Sequence, residues 1–228
     1  MPGRAAVKKL VRRWLASGGD APPEAAGLHG LSARALSRAL LASLSDTDPL
    51  VKWRAVRALG RLVAAWAAED PEAAREVMRR LVWGLNDESG AVGFGFAEAL
   101  GEIMARDQGL AREFLNLLIS YLDPQGAYLE FPPLQQGAVW GLSRVVGAWP
   151  ELAAERRAAG ALIPLLSSPD PTVRGLAAWG LGCMGAASAR HALEGLLGDQ
   201  ERLEVFRRGE LGEASAGELA AEALAGIA

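Results

Sequence analysis

One thirteen-residue pattern constrains this chain more than any other feature. Asp48-Pro49-Leu50-Val51-Lys52-Trp53-Arg54-Ala55-Val56-Arg57-Ala58-Leu59-Gly60 returns at the same spacing as Asp170-Pro171-Thr172-Val173-Arg174-Gly175-Leu176-Ala177-Ala178-Trp179-Gly180-Leu181-Gly182. A unit of this size cannot bury its own apolar face and needs a neighbour stacked against it, so recurrence predicts a solenoid rather than a chain closed around one core.

Helical periodicity extends the pattern to five units, each an apolar helix, a polar turn and a second apolar helix. The first sets Leu36, Leu40, Leu41 and Leu44 before the turn and Val51, Ala55, Leu59 and Leu62 after it. The second turns at Asn86-Asp87-Glu88-Ser89-Gly90 between Met78, Leu81, Val82, Leu85 and Val92, Phe96, Leu100, Ile103. The third carries Phe114, Leu117, Leu118, Tyr121, then Leu134, Ala138, Leu142, Val145. The fourth carries Leu162, Leu165, Leu166, then Val173, Ala177, Leu181, Met184, and the fifth Leu193, Leu196, Leu197, then Ala216, Ala220, Leu224, Ile227. An Asp before a Pro supplies an acceptor for free N–H groups at a helix start and a residue tolerated in the first turn.

Residues 4–17 read as an extra basic amphipathic helix, with Val7, Leu10, Val11, Trp14 and Leu15 on its apolar side, covering the open end of the stack. The expected organisation is one domain over 1–228: cap 1–17, linker 18–30 with Pro22 and Pro23, and repeats at 31–69, 70–106, 107–149, 150–187 and 188–228. The last repeat is interrupted by an insertion, 203–215. Within it Leu203 to Leu211 alternates like a β-hairpin turning near Gly209, after which Ser215 and Glu218 form a capping box.

The Asp-Pro-x-Val-Lys/Arg-x-x-Ala-x-x-Ala/Gly-Leu-Gly spacing resembles HEAT repeats, particularly the short bacterial type of phycobilisome lyase subunits. Val51 to Arg57, Leu85 to Gly90 and Leu176 to Trp179 are similar to a bacterial HEAT group for which the resemblance implies a fold and no reaction. It implies an all-α, right-handed α-α superhelix of about five helix pairs plus the capping helix and the small hairpin. It further implies binding of proteins or nucleic acids along a concave face made by the second helices.

Registering the second helices on their buried residues places Arg57, Glu98, Trp140, Trp179 and Glu222 in one column facing away from the core. One turn later come Arg61, Glu102, Arg144 and Cys183, and one turn earlier Trp53, Phe94 and Gln136. The candidate partner-binding strip is therefore Trp53, Phe94, Trp140 and Trp179 as apolar anchors with Arg57, Arg61 and Arg144 holding carboxylates, and Glu98 and Glu102 as solvated acids between them. The competing reading is that these charges only bridge neighbouring helices while the tryptophans fill space. Gly90, Gly93 and Gly95 do not make a phosphate loop, because no strand precedes them and no Lys-Ser/Thr follows. Close packing explains them better.

The formal charge of −3 gives no global attraction to nucleic acid or anionic membranes. Leu62 to Ala68 is the longest purely apolar run, far below the roughly 20 residues of a membrane span. The single cysteine, Cys183, is incompatible with an internal disulfide and reads as a packed or idle thiol in a cytoplasmic protein. The two histidines, His29 and His191, are too far apart in a stack to share a metal. Neither a cofactor nor a metal is expected, and no catalytic set stands out. The expected function is a non-catalytic scaffold for a protein or peptide partner, without nucleic acid or membrane, as a monomer or weak homo-oligomer. The alternatives, by resemblance, are a HEAT-like DNA alkylation-repair glycosylase, which calls for a net basic groove, and a lyase-like or chaperone-like factor acting on a cofactor-bearing protein.

Overall fold

The computed structural model describes residues 3–19, 28, 30–86 and 92–227. Pro22, Pro23 and His29 and the turn residues Asp87-Glu88-Ser89-Gly90 lie outside the described residues.

The two copies of the opening pattern start their helices with the same contacts. In α3 (Pro49–Glu69) the Asp48 carboxylate accepts from the N–H groups of Leu50 and Val51 at 2.9 and 3.4 Å. In α10 (Pro171–Cys183) Asp170 accepts from Thr172 and Val173 at 2.8 and 3.4 Å. Each proline occupies the first helical position, where its missing N–H costs nothing. Conserving this start fixes the phase of each second helix, and with it which side chains face the neighbouring unit.

Those second helices form one layer. α3 packs on α5 (Phe96–Met104), α5 on α7 (Pro132–Ala148), α7 on α10, and α10 on α12 (Ala216–Gly226). Against them lie the first helices, α2 (Ala33–Leu41), α4 (Pro71–Leu85), α6 (Gln108–Ser120), the pair α8 (Pro150–Glu155) and α9 (Ala158–Leu162), and α11 (Arg190–Glu194). One apolar core runs through the stack from Val7 to Ile227. At the open end α1 (Arg4–Ala16) buries Val7, Val11, Trp14 and Leu15 against α2 and α3. Arg54 donates to the Leu15 and Ala16 carbonyls at 2.8 and 3.1 Å, placing a cation at the C-terminal end of α1. Among the described residues no helix is long and apolar enough to cross a membrane.

Three elements depart from expectation. α5 begins at Phe96, so Val92 is exposed rather than the first buried residue of its helix; Gly95, with φ +77°, sets the chain in a conformation that cannot continue a right-handed helix. The first helix of the fourth unit is broken at Arg157, whose φ is +55°, and finishes as a 3-10 turn over Ile163–Ser167. The first helix of the fifth unit shrinks to α11, and Leu197 beyond it is exposed.

The insertion does form a hairpin, β1 (Arg202–Arg207) paired antiparallel with β2 (Glu210–Ser215), closing with Arg207 opposite Glu210. Arg208 and Gly209 both take positive φ, +54° and +93°, as a type I′ turn requires. The capping box at the start of α12 closes both ways: Glu218 N–H donates to Ser215 Oγ at 3.0 Å and Ser215 N–H to Glu218 Oε2 at 2.7 Å.

Candidate functional site

The hairpin folds back across the second-helix layer and reaches the first unit. The Phe206 ring stacks on Trp53 with centroids 4.9 Å apart and planes 4° from parallel. Trp140 lies 4.7 Å from Trp53 and 6.3 Å from Trp179, and its indole N–H donates to the Phe206 carbonyl at 2.8 Å. Tryptophans on an outward column expose a large apolar area, and here the chain's own insertion covers it. Trp140 is therefore only 2% exposed, a roofed residue rather than an open anchor, while Trp53 and Trp179 remain half-buried.

The acids of the strip are not solvated. Glu98 and Glu102 are 4% and 2% exposed, in correction of the sequence reading. Glycines on the adjacent helices make the room: a Cβ on Gly137 would fall 2.5 Å from Glu98 Oε2, and one on Gly60 2.6 Å from Glu102 Cγ. A carboxylate taken from water needs a partner, and each has one or more. Lys52 Nζ lies 2.6 Å from Glu98 Oε1. Arg106 reaches Glu102 Oε1 at 2.6 Å and Arg144 reaches Oε2 at 2.9 Å. Helix-bridging, the competing reading of the charges, thus describes Arg144 and the two glutamates.

The remaining strip residues scatter. Arg61 donates to the Gly19 carbonyl at 3.0 Å, toward the end of α1. Phe94 sits in the turn before α5, whose helix starts only at Phe96, and pairs edge-on with Phe131 at 6.1 Å rather than with the tryptophans. Arg57 packs on the hairpin tip, where a Cβ at Gly209 would lie 2.6 Å from its Nη1.

Between the hairpin tip and α3, α5, α7, α10 and α12 a cleft of about 550 Å³ stays open, lined by Arg57, Glu102, Arg144, Trp140 and Trp179 of the expected strip. Arg106, Phe206, Arg207 and Arg208 line it too and were not foreseen. Arg106 had a sequence signal in its position one turn after Glu102, but the hairpin residues had none, since nothing local says where an insertion lands. Cys183 is exposed to this cleft rather than packed, and desolvation by the cleft walls, partly offset by Arg144 and Arg207, pushes its thiol up from the usual range. Among the described residues no group of three His, Cys, Asp or Glu side chains could hold a metal ion.

Residues 132–184, from the start of α7 through α10, match the sequence profile of the HEAT-like repeat. No curated protein matches significantly. Among solved structures the chain is similar to a designed armadillo repeat protein, at 22% identity and a TM-score of 0.59 over 99% of this chain and 93% of that one. It is also similar to computationally designed armadillo repeat proteins for modular peptide recognition, at 23% identity and TM-score 0.58, covering 99% and 93%. A third, a designed armadillo repeat protein in complex with the peptide (KR)4, aligns over 100% of both chains at 20% identity and TM-score 0.57. At these identities the likeness is one of fold: an armadillo/HEAT-type α-solenoid with a small hairpin near its C-terminal end.

Proposed function

We propose that this chain is a non-catalytic scaffold that holds a protein or peptide on the face of its second helices, in the cleft beside the hairpin. The observation that carries the reading is the cleft itself. A layer of five stacked helices presents arginines and a half-exposed Trp179 to one opening, while the hairpin stacks on Trp53 and covers Trp140. Rigid helices position such side chains at little entropic cost on binding, and aromatic and arginine residues supply most hot-spot energy at interfaces. That a designed armadillo repeat protein of similar fold is in complex with a peptide supports a peptide as the kind of partner.

Affinity capture from the native host with the intact chain and with Trp179→Ala tests this. Trp179 is preferred to Trp140, whose indole holds the hairpin down. The expected result is a partner retained by the parent and lost by the variant while the helical circular dichroism is unchanged. A partner held equally by both places the interaction elsewhere.

A further inference from the structure

We propose that the cleft selects an acidic ligand, a peptide segment whose Asp or Glu side chains enter beside the hairpin tip. This rests on the scaffold reading above and adds the chemistry of the partner.

The chain carries a formal charge of −3, yet the cleft concentrates the opposite sign: five arginines line it against two glutamates. The two acids are already engaged on the protein side. Glu102, buried in the cleft wall, holds Arg106 through Nε and Nη2 and Arg144 through Nε. A guanidinium has five N–H donors in a planar fork, so each retains donors after that contact, oriented by a carboxylate that cannot itself reach solvent. Glu222 holds Arg207 at 2.5 Å. Arg208, at the exposed hairpin tip, makes no ion pair among the described residues. An incoming carboxylate therefore meets forked donors from the turn after α5, from α7 and from the hairpin, with the half-exposed Trp179 available to the methylene stem of a glutamate.

The sign is opposite to what would receive a Lys/Arg peptide such as the one in the designed armadillo complex. Nucleic acid is disfavoured by the same geometry. Phosphate backbones are tracked by basic stripes, whereas these arginines surround one opening of about 550 Å³ in an otherwise acidic chain.

The lone cysteine makes the test direct, because Cys183 lines the cleft and is exposed. Fluorescein-labelled hexaglutamate is titrated by anisotropy at low salt, and the rate of Cys183 alkylation by iodoacetamide is followed with and without unlabelled hexaglutamate. The variant is Arg208→Asn, which removes the charge while giving the turn the Asn-Gly pair that type I′ geometry favours, so the hairpin is retained. Saturable hexaglutamate binding, slowed alkylation, and affinity about tenfold weaker in Arg208→Asn and on raising salt from 0.02 to about 0.3 M support the proposal. Failure of hexaglutamate to bind, binding indifferent to Arg208→Asn, or unaltered alkylation overturns it. Labelled hexalysine binding as well as hexaglutamate also overturns it. So does a single-stranded oligothymidylate binding more tightly, which assigns the cleft to nucleic acid, or inorganic phosphate protecting Cys183 equally, which reduces it to a small-anion site. A host partner captured through Trp179 without hexaglutamate binding leaves the scaffold standing and removes only the acidic class; hexaglutamate binding without any such partner does the reverse.

Discussion

Phe206→Ala probes the contact that decides how much of the groove is open. The side chain is buried, stacked on Trp53 and 6.4 Å from Trp140, and its removal leaves a void beneath the hairpin. Truncating a well-packed Phe costs about 3–5 kcal/mol. The lower figure applies here, since the strand sits at the surface of the layer and can settle into the gap, and the Phe206 carbonyl keeps its bond from Trp140 because that bond is to backbone. At 1.4 kcal/mol per decade, about 3 kcal/mol is roughly a hundredfold in the opening equilibrium. The loss is local, because β1 and β2 pair with each other and touch the stack mainly through α10 and α12. Native-state hydrogen exchange is the assay. Amides of β1 and β2 are expected to exchange about a hundred times faster than in the parent, while those of α3, α5 and α7 stay within a few-fold. Unchanged hairpin protection refutes the claim that Phe206 docks the hairpin; equal acceleration in every helix refutes the claim that the hairpin opens by itself.

Four further outcomes follow from the same contacts. Glu102→Gln leaves Arg106 and Arg144 facing each other without their shared buried carboxylate, and is expected to cost about 3 kcal/mol, read as a fall in thermal midpoint of roughly 6–12 °C. Gly209→Ala places a side chain at φ +93° and is expected to raise hairpin exchange by the equivalent of about 1–2 kcal/mol. Asp48→Ala removes a cap worth about 1 kcal/mol, and Asp170→Ala costs more by chemical denaturation, because Asp170 also accepts from Gln136 Nε2 of α7 at 2.7 Å. The Arg12 hydrogen bond holds the Asp46 carboxyl below its ordinary 3.8, so this tie to α1 is complete above that pH and is lost as pH falls through the lower folded-state value; the Trp14 indole resonance is expected to report loosening of α1 in that acid range, and Arg12→Gln to abolish the pH dependence.

Local patterns were sufficient for the scaffold. The Asp-Pro starts at Asp48 and Asp170, the apolar period, the Arg208-Gly209 turn and the Ser215/Glu218 box each act over a few residues, so the chain's order reveals them without knowledge of the fold. Registering the helices grouped Arg57, Arg144, Trp140 and Trp179, which line one cleft, but misplaced Phe94 and took Glu98 and Glu102 as solvated. What the sequence could not state was what those side chains meet. Glu98 and Glu102 are buried because glycines on neighbouring helices make space and Lys52, Arg106 and Arg144 arrive from three directions. Trp140 is covered because residues 66 positions later fold over it. Exposure and charge balance on the second-helix face depend on contacts between units distant in the chain, and no periodicity encodes the landing place of an insertion. The repeat therefore determined the stack by itself, while only the tertiary structure decided that a hairpin would roof Trp140 and leave an arginine-lined cleft at its tip.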